Sequence, residues 1–199
     1  MWMTHRNSLF FTLHNNPKAK FVTRAVQFGS EPLFDGVLSP DDLATQVTAA
    51  KQSLSSLSIP TTVSDMAYGY QSNGGAQSVL DAIDCRSPHA TVLRYNGYHR
   101  VRLLGFVQND LDWIYSHAGG KKPSMQSGST RSSSPTAVAD VQQEQYYFDL
   151  LDSKCQDLKN NPNGGVTWFA HLYFEQQGAG YGILDNGQLK FPFSPKTSC

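Results

Sequence analysis

Nothing in this sequence approaches the ~20 consecutive apolar residues that a membrane-spanning helix needs, so no membrane span is expected. An excess of either charge is also missing. Sixteen Lys and Arg face sixteen Asp and Glu, for a formal net charge of +0. Such a chain has no overall field to draw in nucleic acid or an anionic surface, and no nucleic-acid partner is expected. Cysteine is scarce: Cys85, Cys155 and Cys199 permit one intramolecular disulfide at most, and equally permit three buried thiols. These cysteines and the six histidines are scattered singly, without metal-ligand spacing, so neither a metal nor a cofactor is expected. The N-terminal stretch has one early arginine, Arg6, and a short apolar run at Leu9–Leu13. That run is too short for a signal-peptide core and no small-residue cleavage site follows it, so no signal peptide is read.

What is present suits one domain or part of a larger one, with 199 residues, 39% hydrophobic and 12% aromatic content. Sixteen Gly and ten Pro imply many turns between short elements. Phe21–Phe28 reads as a strand ending at Gly29-Ser30-Glu31-Pro32. Ser39-Pro40-Asp41-Asp42 opens a helix, with Ser39 as cap, Pro40 in the first turn and two acids on the positive end of the dipole. Leu43, Val47, Ala50, Leu54 and Leu57 recur every three or four residues along it, and Pro60 stops it. Thr61–Ala67 is the next strand, followed by a Gly-rich turn and a short helix around Ala76–Ile83.

Further along, Leu111–His117 reads as helical and Ser134-Pro135 opens a long helix to about Lys159. Its stripe is Val138, Val141, Phe148, Leu151, Cys155 and Leu158, with Glu144 on the solvated side. Gly164–Phe174 is a strong strand, and Asp185-Asn186-Gly187 signals a hairpin. Alternating strands and helices predict a parallel sheet covered by helices, in an open sheet or a barrel.

Two segments break this rhythm. Between Asp84 and Asp110 there is no acidic residue, while Arg86, Arg94, Arg100 and Arg102 are four of the seven arginines. Neither periodicity persists across residues 85–105, and an anion-binding patch is the minor reading there. Residues 122–134 are Ser-rich, and a flexible loop is preferred to a strand over Lys121–Gln126.

Several blocks in order, 26–36, 62–71, 109–113, 134–142, 147–155 and most of 164–199, resemble fungal members of glycoside hydrolase family 17, the β-1,3-glucanase family. They read VQFGSEPLFDG, TVSDMAYGYQ, NDLDW, SPTAVADVQ and YFDLLDSKC before the last block. The resemblance implies an α/β fold of the (β/α)8 TIM-barrel type, incomplete, with roughly strands four to eight and their helices. Residues 1–199 would then be a partial catalytic domain, since the chain begins about where the family's fourth strand is due. Segments 85–105 and 122–134 would be anomalous within it, the Arg-rich 85–105 as an out-of-frame or mis-spliced stretch between in-frame blocks would be. Secretion or a cell-wall location is implied by the family, β-1,3-glucan is the implied polysaccharide partner, and Cys155–Cys199 is the implied disulfide.

The resemblance also assigns roles. Barrel enzymes gather their active sites at the C-terminal ends of strands, and Glu31 falls at the family's acid/base position. A retaining glycosidase needs a second carboxyl about 5–5.5 Å away as nucleophile. The family's Thr-Glu-Asn-Gly-Trp-Pro-Ser motif is matched here by Lys121-Lys-Pro-Ser-Met-Gln126-Ser-Gly-Ser-Thr. Gln126 stands at the nucleophile position and the Trp-Pro pair is absent. An amide cannot form the glycosyl-enzyme ester, so a silent glucan-binding module or a non-functional fragment competes with an active endo-β-1,3-glucanase. Restoring the carboxylate alone, by Gln126→Glu, is not expected to restore hydrolysis.

The remaining candidates for substrate binding are Ser30, Asp65, Tyr68, Tyr70 and Trp168. Ser30 occupies the place where many barrel glycosidases hold the sugar 2-hydroxyl; the plain alternative is a turn residue. Asp65 either bonds substrate hydroxyls or caps a loop. Tyr68 and Tyr70 offer apolar faces with polar tips, against packing on the barrel rim. Trp168 and Phe169 alternate along one strand, so one of them faces the helices; core packing competes with a sugar platform for Trp168. His171 reads as a strand histidine, and Glu175 as a carboxylate just beyond that strand.

Overall fold

The computed structural model of the chain describes residues 2–84, 87–91, 100–117, 119–121, 124–128, 140–161, 165–170, 172–174, 180–196 and 198–199. They form two compact units, Met1–Ser87 and Pro88–Cys199.

The first unit runs α1 (Trp2–Asn15), α2 (Ala19–Val22), β1 (Val26–Phe28), α3 (Pro40–Leu54), a 3-10 turn (Ser55–Leu57), β2 (Thr61–Asp65), α4 (Ala67–Ser72) and α5 (Gln77–Ala82). The strand expected over Phe21–Phe28 is shorter than its composition suggests. Ala19–Val22 is helical, Phe21 and Val22 are exposed, and pairing begins only at Val26. The partner strand explains this. β1 pairs in parallel with β2 from Val26↔Thr61 to Phe28↔Val63, and Val26 N–H donates to the Pro60 carbonyl. Proline has no N–H to give back, so the ladder does not extend beyond it.

Helix α3 starts as its sequence dictates: Ser39 Oγ accepts the Asp42 N–H at 3.2 Å, with Pro40 in the first turn. Leu43, Val47, Ala50 and Leu54 are buried along one stripe, which packs on β2 and α5. All five residues of β2 are buried. The strand ends at Asp65 rather than Ala67, because Met66 takes the extended cap conformation that starts α4.

The second unit runs β3 (Ser87–Thr91), α6 (Arg100–His117), β4 (Ser124–Gly128), α7 (Val141–Ser153), α8 (Cys155–Lys159), β5 (Thr167–Ala170), β6 (Leu172–Phe174), β7 (Gly182–Asp185) and β8 (Gln188–Leu189). β4 lies between β3 and β5, parallel to both, in the registers His89↔Gln126 and Gln126↔Phe169. A strand therefore occupies Ser124–Gly128 where composition favours a loop, β3 lies in the 85–105 segment that reads as aperiodic, and α6 starts there, earlier than the helix expected at Leu111–His117. An inner parallel strand is fixed by backbone pairing on both edges, which alternation of side chains does not report.

Other expectations shift in detail. The helix expected from Ser134-Pro135 is described from Val141, where Asp140 Oδ1 caps it by accepting the Gln143 N–H at 2.8 Å. Ser134, Pro135 and Val138 lie outside the described residues. The single strand expected over Gly164–Phe174 is two: β5 pairs with β4, whereas β6 pairs in parallel with β7. β7 and β8 form the expected hairpin around Asn186 (φ 49) and Gly187 (φ 78), the paired left-handed residues of a tight two-residue turn.

The core of this unit gathers Leu111, Tyr147, Phe148, Leu151, Val166, Ile183 and Phe191, with Trp168 and Phe193 packed against it. Glu144 belongs to this interior rather than to the solvated face expected for it. Its side chain is 1% exposed and its Oε2 accepts from Lys190 Nζ at 2.8 Å. Lys190 also donates to the Gly180 carbonyl at 2.8 Å. Cys155 and Cys199 are joined by a disulfide with a Cα–Cα distance of 6.0 Å, tying the tail to α8. No described helix is long and apolar enough to cross a membrane.

Candidate active site

Parallel pairing of β1 and β2 brings their C-terminal ends side by side, and with them Gly29-Ser30-Glu31 and Asp65. Glu31 N–H donates to the Ser64 carbonyl at 2.8 Å, which extends the pairing one step past the strand. The chain then turns sharply. Gly29 has φ +66, and a Cβ there would meet the Pro32 ring at 3.0 Å, so this position needs glycine. Glu31 itself adopts φ 59, the left-handed region that an L side chain rarely enters. Such strain persists only where the surroundings over-determine the backbone.

Asp65 supplies much of that determination. Its side chain is buried, and its Oδ2 accepts the Leu33 N–H at 2.6 Å and the Phe34 N–H at 3.4 Å. Its Oδ1 accepts the Met66 N–H at 2.9 Å, at the start of α4. The loop after Glu31 closes on itself through Asp35 N–H to the Glu31 carbonyl and Val37 N–H to the Pro32 carbonyl. From the other side, Asn73 Nδ2 donates to the Leu33 carbonyl at 3.2 Å and to the Gly69 carbonyl at 2.8 Å. Gly69 makes room for the whole arrangement: a Cβ there would lie 2.0 Å from Asp65 Oδ1.

The electrostatics follow from this burial. Loss of water pushes the Asp65 carboxyl up to about 6, against three backbone N–H bonds that favour its charge, and the neighbouring Glu31 charge pushes the same way. The Glu31 charge thus bears on Asp65 at the end of two parallel strands. Asp65 is buried and committed to backbone amides; Glu31 is half-buried at the surface.

Of the other candidates, Ser30 is exposed in the turn. Tyr68 is exposed on α4, with Phe34 edge-on to it. Tyr70, two residues on, points the opposite way and is 2% exposed, so it has no open face for a sugar: it packs. Trp168 in the second unit stacks on Phe148 of α7 at 5.7 Å and meets Phe193 edge-on, so its ring serves the core there. Gln126 is the central residue of β4, between β3 and β5. His171 and Glu175 lie outside the described residues. Sequence reading missed Phe34, Gly69 and Asn73. The signal for them was weak: Phe34 stands three residues from Glu31, Gly69 and Asn73 four and eight from Asp65, and only the loop's closure joins them. Among the described residues, no cluster of three His, Cys, Asp or Glu is placed to hold a metal ion.

No protein-family model and no curated protein sequence matches the chain. Solved structures do. The crystal structure of a glycoside hydrolase family 17 β-1,3-glucanosyltransferase from Rhizomucor miehei matches with a TM-score of 0.67 at 21% identity, over 90% of this chain and 65% of that one. An active-site mutant of Rhizomucor miehei β-1,3-glucanosyltransferase in complex with laminaritriose matches with a TM-score of 0.69 at 20% identity, over 98% and 71%. The chain therefore spans about two thirds of the length of these enzymes and shares their fold over that span.

Proposed function

We propose that this chain is a β-1,3-glucan-recognising protein on a family 17 glycosidase scaffold, with Glu31 at the acid/base position and no nucleophilic carboxylate. In this reading its α/β framework corresponds to the fourth and later strands of a (β/α)8 barrel, as a partial catalytic domain. The observation that carries it is Glu31: a carboxylate in a left-handed backbone conformation at the end of a parallel strand, held there by Ser64 and the Asp65-bound loop. Ends of parallel strands are where barrel enzymes place their chemistry, and the fold neighbours include an enzyme in complex with laminaritriose.

A proton from Glu31 to a departing glycosidic oxygen is worth ~10²–10⁴-fold by itself. The covalent half of a retaining mechanism needs a carboxylate on the sugar carbon. An amide at Gln126 supplies none, so hydrolysis is impaired in this chain while binding persists. An extracellular or cell-wall setting agrees with the Cys155–Cys199 disulfide, which persists in oxidising compartments.

Two measurements on purified protein test the reading. Laminaritriose binding by calorimetry is expected, and its absence would remove glucan recognition. Release of reducing sugar from laminarin is expected to equal that of a Glu31→Gln blank; turnover above the blank by the unmodified chain would refute the loss of the nucleophile. Gln126→Glu is expected to stay at the blank as well, because an inserted carboxylate works only within about 0.5 Å of its productive place.

A further inference from the structure

The charge balance of the whole chain hides a local imbalance. Residues 1–30 hold four of the sixteen basic side chains, Arg6, Lys18, Lys20 and Arg24, and none of the sixteen acids. Three of the four crowd on and around α2, in Lys18-Ala-Lys-Phe-Val-Thr-Arg24. Among the described residues, no ion pair uses Lys18, Lys20 or Arg24. In their midst stand Val22 and Phe21, the two most exposed large apolar side chains among the described residues, at 81% and 78%.

Strand pairing explains why these two are bare. Phe and Val suit a strand, but the ladder with β2 starts only at Val26, so both stay outside the sheet. The tip is nonetheless fixed. Asn16 Oδ1 accepts the Lys18 N–H at 2.9 Å, Thr23 N–H donates to the Ala19 carbonyl at 2.9 Å, and Ala19 is buried. Lys20 Nζ lies 5.1 Å from the Phe21 ring centroid, so a cation and an aromatic face share one spot.

We propose that α2 docks the protein on a membrane surface rich in anionic lipid. Phe21 and Val22 enter the boundary between headgroups and acyl chains, and Lys18, Lys20 and Arg24 meet the anionic headgroups. A soluble polyanion would engage the cations and leave Phe21 and Val22 in water. An uncharged apolar partner would cover the pair and strip water from three unpaired cations. An anionic bilayer suits both, because basic side chains lay their stems along the apolar layer and keep their charge at its rim. The strand sets the orientation: α2 precedes β1 and Glu31 follows it, so tip and candidate acid lie at opposite ends of one strand. Docking through α2 leaves the Glu31 end turned away from lipid. Lipid docking does not depend on glucan recognition at Glu31.

The test is co-sedimentation of the full chain with phosphatidylcholine vesicles, with and without phosphatidylserine. Binding is expected only with phosphatidylserine. It should weaken as salt rises from ~0.1 M to ~1 M, where the screening length falls from about 10 Å to about 3 Å. Lys18→Gln/Lys20→Gln/Arg24→Gln should lose about a hundredfold in affinity, at roughly fivefold per cation. Phe21→Ser/Val22→Ser should lose about tenfold or more, by removing apolar area that lipid would cover. Leu189→Ser, which removes an exposed apolar side chain elsewhere, should bind as the unmodified chain does. All these side chains are exposed, so the variants should fold, and thermal unfolding checks it. Docking on lipid is overturned by no vesicle binding, by equal binding without phosphatidylserine, or by an equal loss in Leu189→Ser. Full binding by Phe21→Ser/Val22→Ser overturns it too, and would reassign the cations to a soluble polyanion such as heparin. Self-association that Phe21→Ser/Val22→Ser abolishes, without vesicle binding, would assign the tip to a second copy of the chain instead.

Discussion

Lys190 Nζ lies 2.8 Å from Glu144 Oε2, and the two side chains are 3% and 1% exposed. The contact joins the first turn of α7 to the residue after β8, 46 positions along the chain. A buried pair of this kind adds little stability over a well-packed apolar pair, because both ions are removed from water. Removing one partner is different, since it leaves the other charge buried without its counter-charge. Lys190→Ala is therefore expected to lower stability by about 3–5 kcal/mol. Lys190→Met combined with Glu144→Leu should cost much less. Urea unfolding of the three proteins checks this; equal losses for the single and double variants would show that the pairing is not what matters.

Asp65 predicts a pH dependence whose sign is unusual for a hydrogen-bonded carboxylate. Its carboxyl stands at about 6 when folded, against an ordinary value of 3.8, so between those values the folded protein binds more protons than the unfolded chain. Stability must then fall as pH rises through this window, with a slope of at most about 1.4 kcal/mol for each pH step of one. Asp110, also raised to about 6 by burial, contributes a slope of the same sign. Asp65→Asn should flatten the decline between about pH 4 and pH 6 and leave the Asp110 part. Unfolding curves measured across that range decide it: identical slopes with and without Asp65 would contradict its burial as a charged group.

Gly69→Ala separates local propensity from packing. Within a helix, alanine is favoured over glycine by about 1 kcal/mol. Here the added Cβ would lie 2.0 Å from Asp65 Oδ1 and 3.1 Å from the Phe34 nitrogen. Displacing a buried carboxylate and its backbone bonds outweighs the propensity gain, so a net loss of about 1–3 kcal/mol is expected. Faster amide exchange at Leu33 and Phe34 should accompany it. A stabilised variant would mean that the Asp65 clamp is looser than its geometry.

Reduction of Cys155–Cys199 releases a loop with a sequence separation of 44. The chain-entropy relation puts closure of such a loop at about 4 kcal/mol. A lower unfolding temperature in reductant is expected, along with loss of the contact between Lys159 and the Cys199 carbonyl. Cys155→Ala/Cys199→Ala should match the reduced protein. An unchanged midpoint would mean that the tail is held by the packing of Phe191 and Phe193 and by the Lys196 N–H bonds to Asp152 without help from the disulfide.

The sequence alone determined those features that depend on neighbours along the chain. The cap at Ser39, the buried stripe of α3 and the Asn186-Gly187 hairpin are local, and each is set by backbone preference or side-chain period over a few residues. The alternation of strand and helix, and the placement of Glu31 after a strand, were legible for the same reason. Tertiary structure decided what depends on partners far away. β1 could not begin before Val26, because Pro60 ends its ladder. β4 formed in a Ser-rich segment because β3 and β5 pair with both its edges. Glu144 went inside because Lys190 meets it there. Tyr68 and Tyr70 are alike in sequence, yet one is exposed and the other sealed, since a two-residue step on a helix reverses the face. Asp65 turned from one carboxylate among sixteen acidic residues into the anchor of the Glu31 loop. No spacing announces that role, because the amides it binds, at Leu33 and Phe34, lie about thirty residues away and reach it only when two parallel strands align.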